Sequence, residues 1–281
     1  MMSQVTDAAV LERVAEEFPR HRDAALRLAG LLDDTPPTVA VLGKYNHGKS
    51  SLLNALIGEA CFAVSDKRQT RSNQVAERAG LRWIDTPGLD ADSAGEDDRM
   101  AMEAATRDAD LRLFVHAMDQ GELDRGEAEW LARLAQEQAE SGRAFLLVLT
   151  RIDKIAAGDR KSVVEVIRGQ APTARVLTVS SHAWTRGQDE DKPALQALGN
   201  IEALKSEIQE AVSMAHAERD AERTRLAQDI GKSVEQELVR ARFMLDTLKA
   251  SRELTLAVLE PSISMQLTRL KLEMMIETIG D

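Results

Sequence analysis

The chain has 281 residues, which is too long for one small domain and fits one medium-sized domain with a substantial additional segment. Hydrophobic residues make up 43% of the sequence and charged residues 30%, a balance that predicts a packed core and excludes disorder throughout. The formal net charge of −11 excludes strong non-specific attraction to bulk nucleic acid, because DNA and RNA are themselves negatively charged.

The cellular location is predicted from features that the sequence lacks. The single cysteine, Cys61, cannot form an internal disulfide, and no basic-then-apolar leader opens the sequence. The sequence also has no run of about 18 apolar residues that could cross a bilayer. We therefore expect a cytoplasmic protein, with attachment to the periphery of a membrane as an open alternative.

Residues 1–35 are predicted to form a helical segment. Apolar residues such as Val10, Val14 and Phe18 recur every three or four positions, as one face of a helix requires. Pro19 has no backbone N–H and should divide the helix.

Residues 36–192 have the pattern of an α/β domain. Strand-length apolar runs alternate with helical stretches, which predicts a mostly parallel sheet with helices on both faces. Gly58 is expected to end the first of these helices in a left-handed conformation. The predicted strands are 39–42, 74–77 paired with 81–84, 111–116, 145–149 and 175–179. The predicted helices are 49–57, 97–106, 123–141 and 161–168.

Residues 193–281 are predicted to be helical and to form a bundle or stalk with the N-terminal segment. Two apolar stripes, within 201–212 and 230–248, need partners to be buried. The polar residues 216–229 between them predict a solvated bridging helix or a hinge. The Met-rich residues 254–279 could form a buried bundle helix, a surface for an oligomer or partner, or a helix at a membrane surface.

The strongest motif is the octapeptide 43–50, GKYNHGKS, which matches the phosphate-binding pattern G-x-x-x-x-G-K-[ST]. A predicted strand precedes it and a predicted helix follows it, as the pattern requires. Glycines let backbone N–H groups converge on phosphates, Lys49 reaches the β and γ oxygens, and the Ser50 hydroxyl binds Mg²⁺. The residues predicted to contact a nucleotide here are Gly43, Asn46, His47, Gly48, Lys49, Ser50 and Ser51.

A second motif of the form D-x-x-G follows the predicted strand 81–84. Asp85 is expected to orient Mg²⁺, and the amide of Gly88 to contact the γ-phosphate. Because ligands bind at the carboxyl ends of parallel strands, this motif should lie beside the octapeptide.

Two further segments indicate that the base is guanine. In T-R-I-D, Thr150 and Arg151 precede Asp153, whose carboxylate can accept both the N1–H and the 2-amino group of guanine. Adenine lacks this pair of donors. Ser180 and Ser181 follow the next predicted strand and could offer a backbone amide to the guanine O6.

Together these motifs resemble the Era and TrmE branch of the translation-factor-related GTPases and, more distantly, the dynamin family. The matching pieces are VAVLGKYNHGKSSLLNALIGE, AVSDKRQTRSN, DTPGLD, LTRIDK and VSSHA, within residues 38–185. The resemblance implies that Thr70 closes over Mg²⁺ and the γ-phosphate, and that Asn46 binds a K⁺ ion in place of an arginine finger. It gives Asn46, Lys49, Thr70 and Gly88 as the expected catalytic residues, and Ser50, Thr70 and Asp85 as the expected Mg²⁺ ligands.

Three features depart from the family patterns. Leu89 follows D-x-x-G and cannot orient a water molecule, so intrinsic hydrolysis should be slow. Thr150 and Arg151 replace the usual Asn and Lys, in a form familiar from dynamins. The G-x-x-G loop of the RNA-binding domain of Era is missing, which weakens the case for a role in ribosome assembly.

The resemblance therefore predicts a Mg²⁺-dependent switch protein that binds GTP or GDP and hydrolyses GTP, with dynamin-like helices coupled to assembly or to a membrane. The alternatives are an Era-like GTPase acting in ribosome or RNA biogenesis, and a nucleotide-binding scaffold with little turnover. The expected partners are a second copy of the chain or a helical protein, with a membrane surface as a further candidate.

The histidines suggest no separate site. His47 is predicted to contact its own loop or a partner, because phosphoryl transfer depends on positioning and charge more than on proton chemistry. His116, on a predicted strand, is expected to be a core or edge histidine with satisfied hydrogen bonds. The remaining histidines share no metal-ligand spacing with Cys61, so no zinc site is expected.

Overall fold

The computed structural model describes residues 7–33, 35–63, 73–89 and 107–279. The chain divides into two compact units, Met1–Leu226 and Ala227–Asp281. The first unit contains a six-stranded sheet, and the described part of the second is helical.

The strands of the sheet confirm the predicted ones, with ends that differ by at most one residue. They are β1 (Thr38–Gly43), β2 (Gln74–Arg78), β3 (Leu81–Asp85), β4 (Leu111–Ala117), β5 (Phe145–Thr150) and β6 (Arg175–Thr178). Their order is β2-β3-β1-β4-β5-β6. β2 pairs antiparallel with β3, and the other neighbours are parallel. The sheet is thus mostly parallel, and β1, β3, β4 and β5 end at one edge.

Helices flank the sheet in the described ranges. They are α1 (Asp7–Glu17), α2 (Arg22–Leu32), α3 (Lys49–Ile57), α4 (Arg125–Ser141), α5 (Arg160–Gln170), α6 (Ser181–Asp189), α7 (Pro193–Gly199) and α8 (Ile201–Ile279). Pro19 begins a 3₁₀ turn between α1 and α2, as the predicted division requires. Gly58 ends α3 with a φ of 82°, as predicted. The sequence did not predict α6, and the predicted helix 97–106 lies outside the described residues.

Alternate residues of the parallel strands fill two apolar layers, one on each face of the sheet. Val41 and Leu113 pack in a layer with α3 and the beginning of α8. Phe114 and Leu147 pack in the other layer with α4 and α5. Burial of each such side chain contributes about 1.5–3 kcal/mol to the free energy of unfolding. The two layers explain why these strands are apolar almost throughout, and they fix the edge at which the strands end.

A buried charge network ties α2 to β4 and to the part of α8 that lies in the first unit. Arg27 Nη2 lies 2.8 Å from both Asp110 Oδ1 and Glu222 Oε2, and Arg219 Nη2 lies 2.7 Å from Asp110 Oδ2. Burial alone would raise the pKa of Asp110, but the hydrogen bonds and charges of Arg219 and Arg27 hold it below its ordinary value. The N-terminal helices are thereby fixed to the same unit as the sheet.

Over its described residues, the second unit leaves many of its large apolar side chains exposed, although Ile230 is buried. Exposed fractions reach 73% at Phe243, 67% at Leu248 and 75% at Met265. The helix continues through Pro261. None of the helices, over the residues that were described, has an apolar stretch long enough to cross a lipid bilayer.

Candidate functional site

The predicted phosphate loop lies between β1 and α3, next to β4. Gly43 has a φ of 141°, and a Cβ atom there would lie 2.2 Å from the carbonyl oxygen of Val115, so only glycine fits. Asn46 and Gly48 also have positive φ values, 58° and 88°, as the chain turns into the helix. The loop therefore ends at the N-terminus of α3, where backbone N–H groups and the helix dipole favour an anion.

Lys49 is the first residue of α3, and its ammonium group turns back into the loop. Nζ donates to the carbonyl oxygens of Gly43 at 2.8 Å and Lys44 at 3.0 Å. The residue is 8% exposed. A buried ammonium group needs acceptors or an anion, because an unpaired buried charge is unfavourable. Phosphate oxygens could replace the two carbonyl oxygens at this position.

Ser50 and Asp85 join the phosphate loop to the end of β3. Ser50 Oγ donates to Asp85 Oδ2 at 2.6 Å, and Asp85 is 1% exposed. Burial raises the pKa of Asp85, while the hydrogen bond from Ser50 and the charge of Lys49 oppose the rise only in part. The other carboxylate oxygen, Oδ1, is buried and has no hydrogen-bond partner among the described residues. A hydroxyl and a carboxylate with an unpaired oxygen fit Mg²⁺, which prefers oxygen ligands.

The D-x-x-G segment packs directly against the phosphate loop. The N–H of Leu89 donates to the carbonyl oxygen of Gly43 at 3.2 Å. A Cβ atom at Gly88 would lie 2.7 Å from the backbone nitrogen of Tyr45, so a side chain there would separate the two segments. Leu89 is buried in the apolar layer that contains α4 and α5. Thr70, which was predicted to close the site, lies outside the described residues.

Thr150 and Arg151 connect the end of β5 to the phosphate loop. Thr150 Oγ1 donates to the carbonyl oxygen of His47 at 2.7 Å. Arg151 Nη2 donates to the carbonyl oxygen of Asn46 and, at 3.0 Å, to its side-chain oxygen. Asp119 holds the same guanidinium group, with Oδ2 at 3.0 Å from Nη1. The segments predicted to bind the phosphates and the base are therefore hydrogen-bonded to each other.

Asp153 lies in a 3₁₀ turn, Ile152–Lys154, directly after β5, and its side chain is 23% exposed. Oδ2 lies 3.7 Å from Nδ1 of His182, in the first turn of α6. Ser180 caps α6, because its hydroxyl accepts a hydrogen bond from the N–H of Ala183 at 3.0 Å. The carboxylate is thus accessible beside the N-terminus of α6, as recognition of guanine requires.

The structure brings the described candidates to one edge of the sheet. This edge, and the loops and helix N-termini that follow it, contain Gly43, Asn46, His47, Gly48, Lys49, Ser50, Ser51, Asp85, Gly88, Thr150, Arg151, Asp153, Ser180 and Ser181. Ser51 and Ser181 also line an open cavity of about 990 Å³. Of the predicted site residues, Thr70 alone lies outside the described residues.

Sequence reasoning missed Asp119 and Glu127. Asp119 holds Arg151 but belongs to no recognised motif. Glu127 forms a capping box with Asp124: the N–H of Glu127 donates to Asp124 Oδ1 at 3.1 Å, and the N–H of Asp124 donates to Glu127 Oε2 at 3.2 Å. The D-x-x-E spacing of these two residues could have predicted this cap and the beginning of α4.

Comparisons with known proteins find GTPases among the proteins that this chain resembles. Residues 38–151 match the family model described as 50S ribosome-binding GTPase. The chain is 35% identical to an uncharacterized protein of Acinetobacter baylyi over 90% of this chain and 61% of that protein. It is 33% identical to GTPase Era of Bordetella petrii over 51% of this chain and 49% of Era. The chain thus spans between about half and 61% of these relatives.

Solved structures that are similar over nearly the whole chain include the following one. It is described as an oligomerised bacterial dynamin pair that provides a mechanism for the long-range sensing and tethering of membranes. The TM-score is 0.53 at 16% sequence identity, with 98% of this chain and 53% of that chain covered. At this identity the similarity concerns the fold alone.

Proposed function

We propose that this chain, whose residues 38–151 match a GTPase family model, binds guanine nucleotide with Mg²⁺ and hydrolyses GTP to GDP and phosphate. The observation that supports this best is the pair of hydrogen-bonded connections from the phosphate loop. Ser50 connects it to Asp85, and Asn46 connects it to Arg151, two residues before Asp153. One ligand could therefore contact the phosphate side and the base side together.

On the phosphate side, the backbone N–H groups of the loop and the ammonium group of Lys49 bind the β- and γ-phosphates. Lys49 releases its two carbonyl acceptors as the phosphate oxygens arrive. Ser50, Asp85 and Thr70 would hold Mg²⁺, which would neutralise negative charge on the phosphate oxygens. The buried, unpaired Oδ1 of Asp85 supports this assignment.

On the base side, Asp153 accepts hydrogen bonds from N1–H and the 2-amino group of guanine. At Ser180 and Ser181, where α6 begins, a backbone amide would contact the O6 atom of guanine. Thr150 positions the phosphate loop and does not contact the base, since its hydroxyl donates to the loop carbonyl of His47. This explains how threonine can stand where asparagine is usual: both side chains can hydrogen-bond the phosphate loop.

Hydrolysis without a partner should be slow. Leu89 is buried among apolar residues and has no polar group with which to orient a water molecule. The Gly88 segment and Thr70 would respond to the γ-phosphate, which would make the site a switch.

We include K⁺ in the proposal, with Asn46 as its ligand. The side-chain oxygen of Asn46 accepts a hydrogen bond from the Arg151 guanidinium group, so this contact has to open or be shared before K⁺ can bind. A fixed cation beside the phosphates would stabilise the charge that grows between the β- and γ-phosphates. Phosphate release in KCl and in NaCl at equal ionic strength tests this point, and equal rates would remove K⁺ from the proposal.

The helical second unit favours coupling of GTP hydrolysis to assembly, through a second copy or a helical partner. Its described apolar side chains, such as Phe243 and Leu248, are more than two-thirds exposed. Exposed apolar surface of this extent marks interaction sites in soluble proteins and is a poor surface for RNA. The net charge of −11 also disfavours RNA binding.

The deciding experiment measures phosphate release from GTP and from ATP over a range of protein concentrations. We expect a strong preference for GTP and a specific activity that rises with protein concentration. Equal turnover of ATP would contradict the assignment of Asp153. Tight GTP binding without phosphate release would instead favour the scaffold alternative.

A second experiment distinguishes the partners. Stimulation of phosphate release by liposomes would support membrane coupling. Co-sedimentation with ribosomes would support the Era-like alternative, which the family description and the Era relatives suggest.

A further inference from the structure

Three buried side chains to which the proposed hydrolysis of GTP gives no chemical role converge beneath the phosphate loop. His47 comes from that loop, His116 from β4 and Glu127 from the first turn of α4. Their side chains are 8%, 1% and 3% exposed. One potential ligand atom of each lies within 4.8 Å of those of the other two. The residues are separated by up to 80 positions in sequence, so no motif could have shown the cluster.

His116 and Glu127 each have one polar atom within hydrogen-bond distance of the backbone outside the cluster, which leaves their other polar atom for the cluster. His116 Nε2 lies 3.0 Å from the carbonyl oxygen of Gly121, to which it can donate. Glu127 Oε2 accepts from the backbone in the α4 capping box, which leaves Oε1 for the histidines. Nδ1 of His47 is buried and has no hydrogen-bond partner in the described residues. Histidines that ligate metals typically use their second nitrogen as His116 does.

A cation between the converging atoms would satisfy all three of them. If His116 donates from Nε2 as a neutral ring, its Nδ1 and Glu127 Oε1 are two acceptors only 2.8 Å apart. A proton on Nδ1 would satisfy that pair. It would leave His47 Nδ1, which lies 3.4 Å from the same oxygen, without a hydrogen bond. A metal ion could satisfy all three atoms.

The three side chains form a ligand set that metal sites use. Nδ1 of His47 lies 3.4 Å from Glu127 Oε1 and has no hydrogen-bond partner among the described residues. Two histidines and one carboxylate are a ligand set known from zinc sites.

We propose that His47, His116 and Glu127 bind one divalent transition-metal ion of the Zn²⁺ class. Nitrogen ligands favour such ions over Mg²⁺, which takes oxygen ligands, so the site is separate from the Ser50 and Asp85 pair. Three protein ligands leave one tetrahedral position for water or another donor. The ion would fix the phosphate loop to β4 and α4, and its role is structural. The sequence-based expectation of no zinc site considered other histidines and Cys61, which take no part here.

The test uses the full chain, stripped of metal with a chelator and then titrated with Co²⁺ and with Zn²⁺. We expect one ion per chain, with visible absorption of Co²⁺ in a low-coordinate nitrogen and oxygen site. Glu127→Gln and His116→Asn should each weaken binding by more than the roughly 10–100-fold that loss of an outer-shell partner causes. Excess Mg²⁺ and GDP should not displace the ion.

Two matched variants serve as controls. Glu129→Gln lies on the same helix, where Glu129 is 56% exposed, and His182→Asn removes a histidine that is 77% exposed. Both should bind metal as the unaltered chain does. Circular dichroism shows whether each variant is folded, and His47→Asn replaces any variant that is not.

The proposal is overturned if the unaltered chain binds no Co²⁺ or Zn²⁺ after refolding with the metal present. It is also overturned if Glu127→Gln binds as tightly as Glu129→Gln. A measurement of the unfolding temperature adds a second readout: Zn²⁺ should raise it for the unaltered chain and for Glu129→Gln, but not for Glu127→Gln. None of these outcomes depends on GTP hydrolysis.

Discussion

The two compact units of the chain differ in how far their apolar side chains are buried. In Met1–Leu226 apolar residues fill two layers around the sheet, and Leu113, Phe114 and Leu147 are fully buried. In Ala227–Asp281, over its described residues, Phe243 and Leu248 are mostly exposed. The first unit can be stabilised by its own core, whereas the second presents surface whose burial would need a partner. All the described candidate nucleotide contacts belong to the first unit.

The largest expected effect comes from a substitution that breaks the buried charge network of the first unit. Asp110→Asn leaves Arg27 and Arg219 without their shared carboxylate, and removal of one partner from such a network typically destabilises by about 3–5 kcal/mol. Urea unfolding at pH 7 measures this loss. The control Asp23→Asn alters an exposed carboxylate in the same α2 helix and should have little effect.

The same network predicts a pH dependence. The folded-state pKa of Asp110 lies below its ordinary value of 3.8, so the stability that it contributes is present above that value. This contribution disappears as the pH falls through the lower folded-state pKa. The stability difference between the unaltered chain and Asp110→Asn should therefore shrink on acidification below pH 3.8, and a constant difference would contradict the assignment.

The next prediction tests whether the chemistry resides in the first unit. Lys49→Ala should lower GTP phosphate release by about 10²–10³-fold, because it removes a positive charge that faces charge developing in the transition state. The fold should survive, because the loop carbonyl groups of Gly43 and Lys44 that accept from Lys49 can also be contacted by water. Lys161→Ala, at a lysine whose side chain is 88% exposed, is the control.

A smaller effect is expected at the base. Asp153→Asn replaces an acceptor of two hydrogen bonds and should weaken binding of GDP by about 10–100-fold, since hydrogen bonds to charged groups contribute about 1.5–3 kcal/mol each. The asparagine amide can donate to a carbonyl at the 2-position, so xanthine nucleotides should gain affinity. Competition binding measures both changes. Asp159→Asn, an exposed carboxylate nearby in sequence, should alter neither.

The smallest effect on stability concerns the second unit. Leu248→Ala should change the free energy of unfolding of the monomer by less than about 0.5 kcal/mol, because Leu248 is 67% exposed. Leu113→Ala, at a fully buried leucine, should lower the free energy of unfolding by about 2–5 kcal/mol.

Phe243→Asp, in the second unit, should reduce assembly at high protein concentration, as measured by analytical ultracentrifugation. Unchanged assembly would remove this surface from the proposal.

Much of the first unit could be predicted from sequence because its signals are local. Apolar runs that end in GKYNHGKS, DTPG and TRID specify both the strand and the loop that follows it, and the strand ends agree with the structure to one residue. Topology then brings the loops together, since parallel strands end at one edge. Gly43 and Gly88 illustrate this: each is a glycine because backbone from another segment lies where a Cβ would be.

Contacts between distant side chains could not be predicted. Asp119 contacts Arg151, and His116 contacts Glu127, because β4, α4 and β5 pack side by side. No spacing in the sequence indicates these contacts. The same applies to Arg27 and Glu222, which are 195 positions apart. In the second unit an apolar helical stripe predicts a partner but does not identify it.

The hydrogen bonds from Arg151 to Asn46 have a thermodynamic consequence. They tether the segment that carries Asp153 to the loop that receives phosphates, so either half of a nucleotide would order the binding surface for the other half. Guanosine and pyrophosphate, offered as separate molecules, should therefore bind with positive cooperativity.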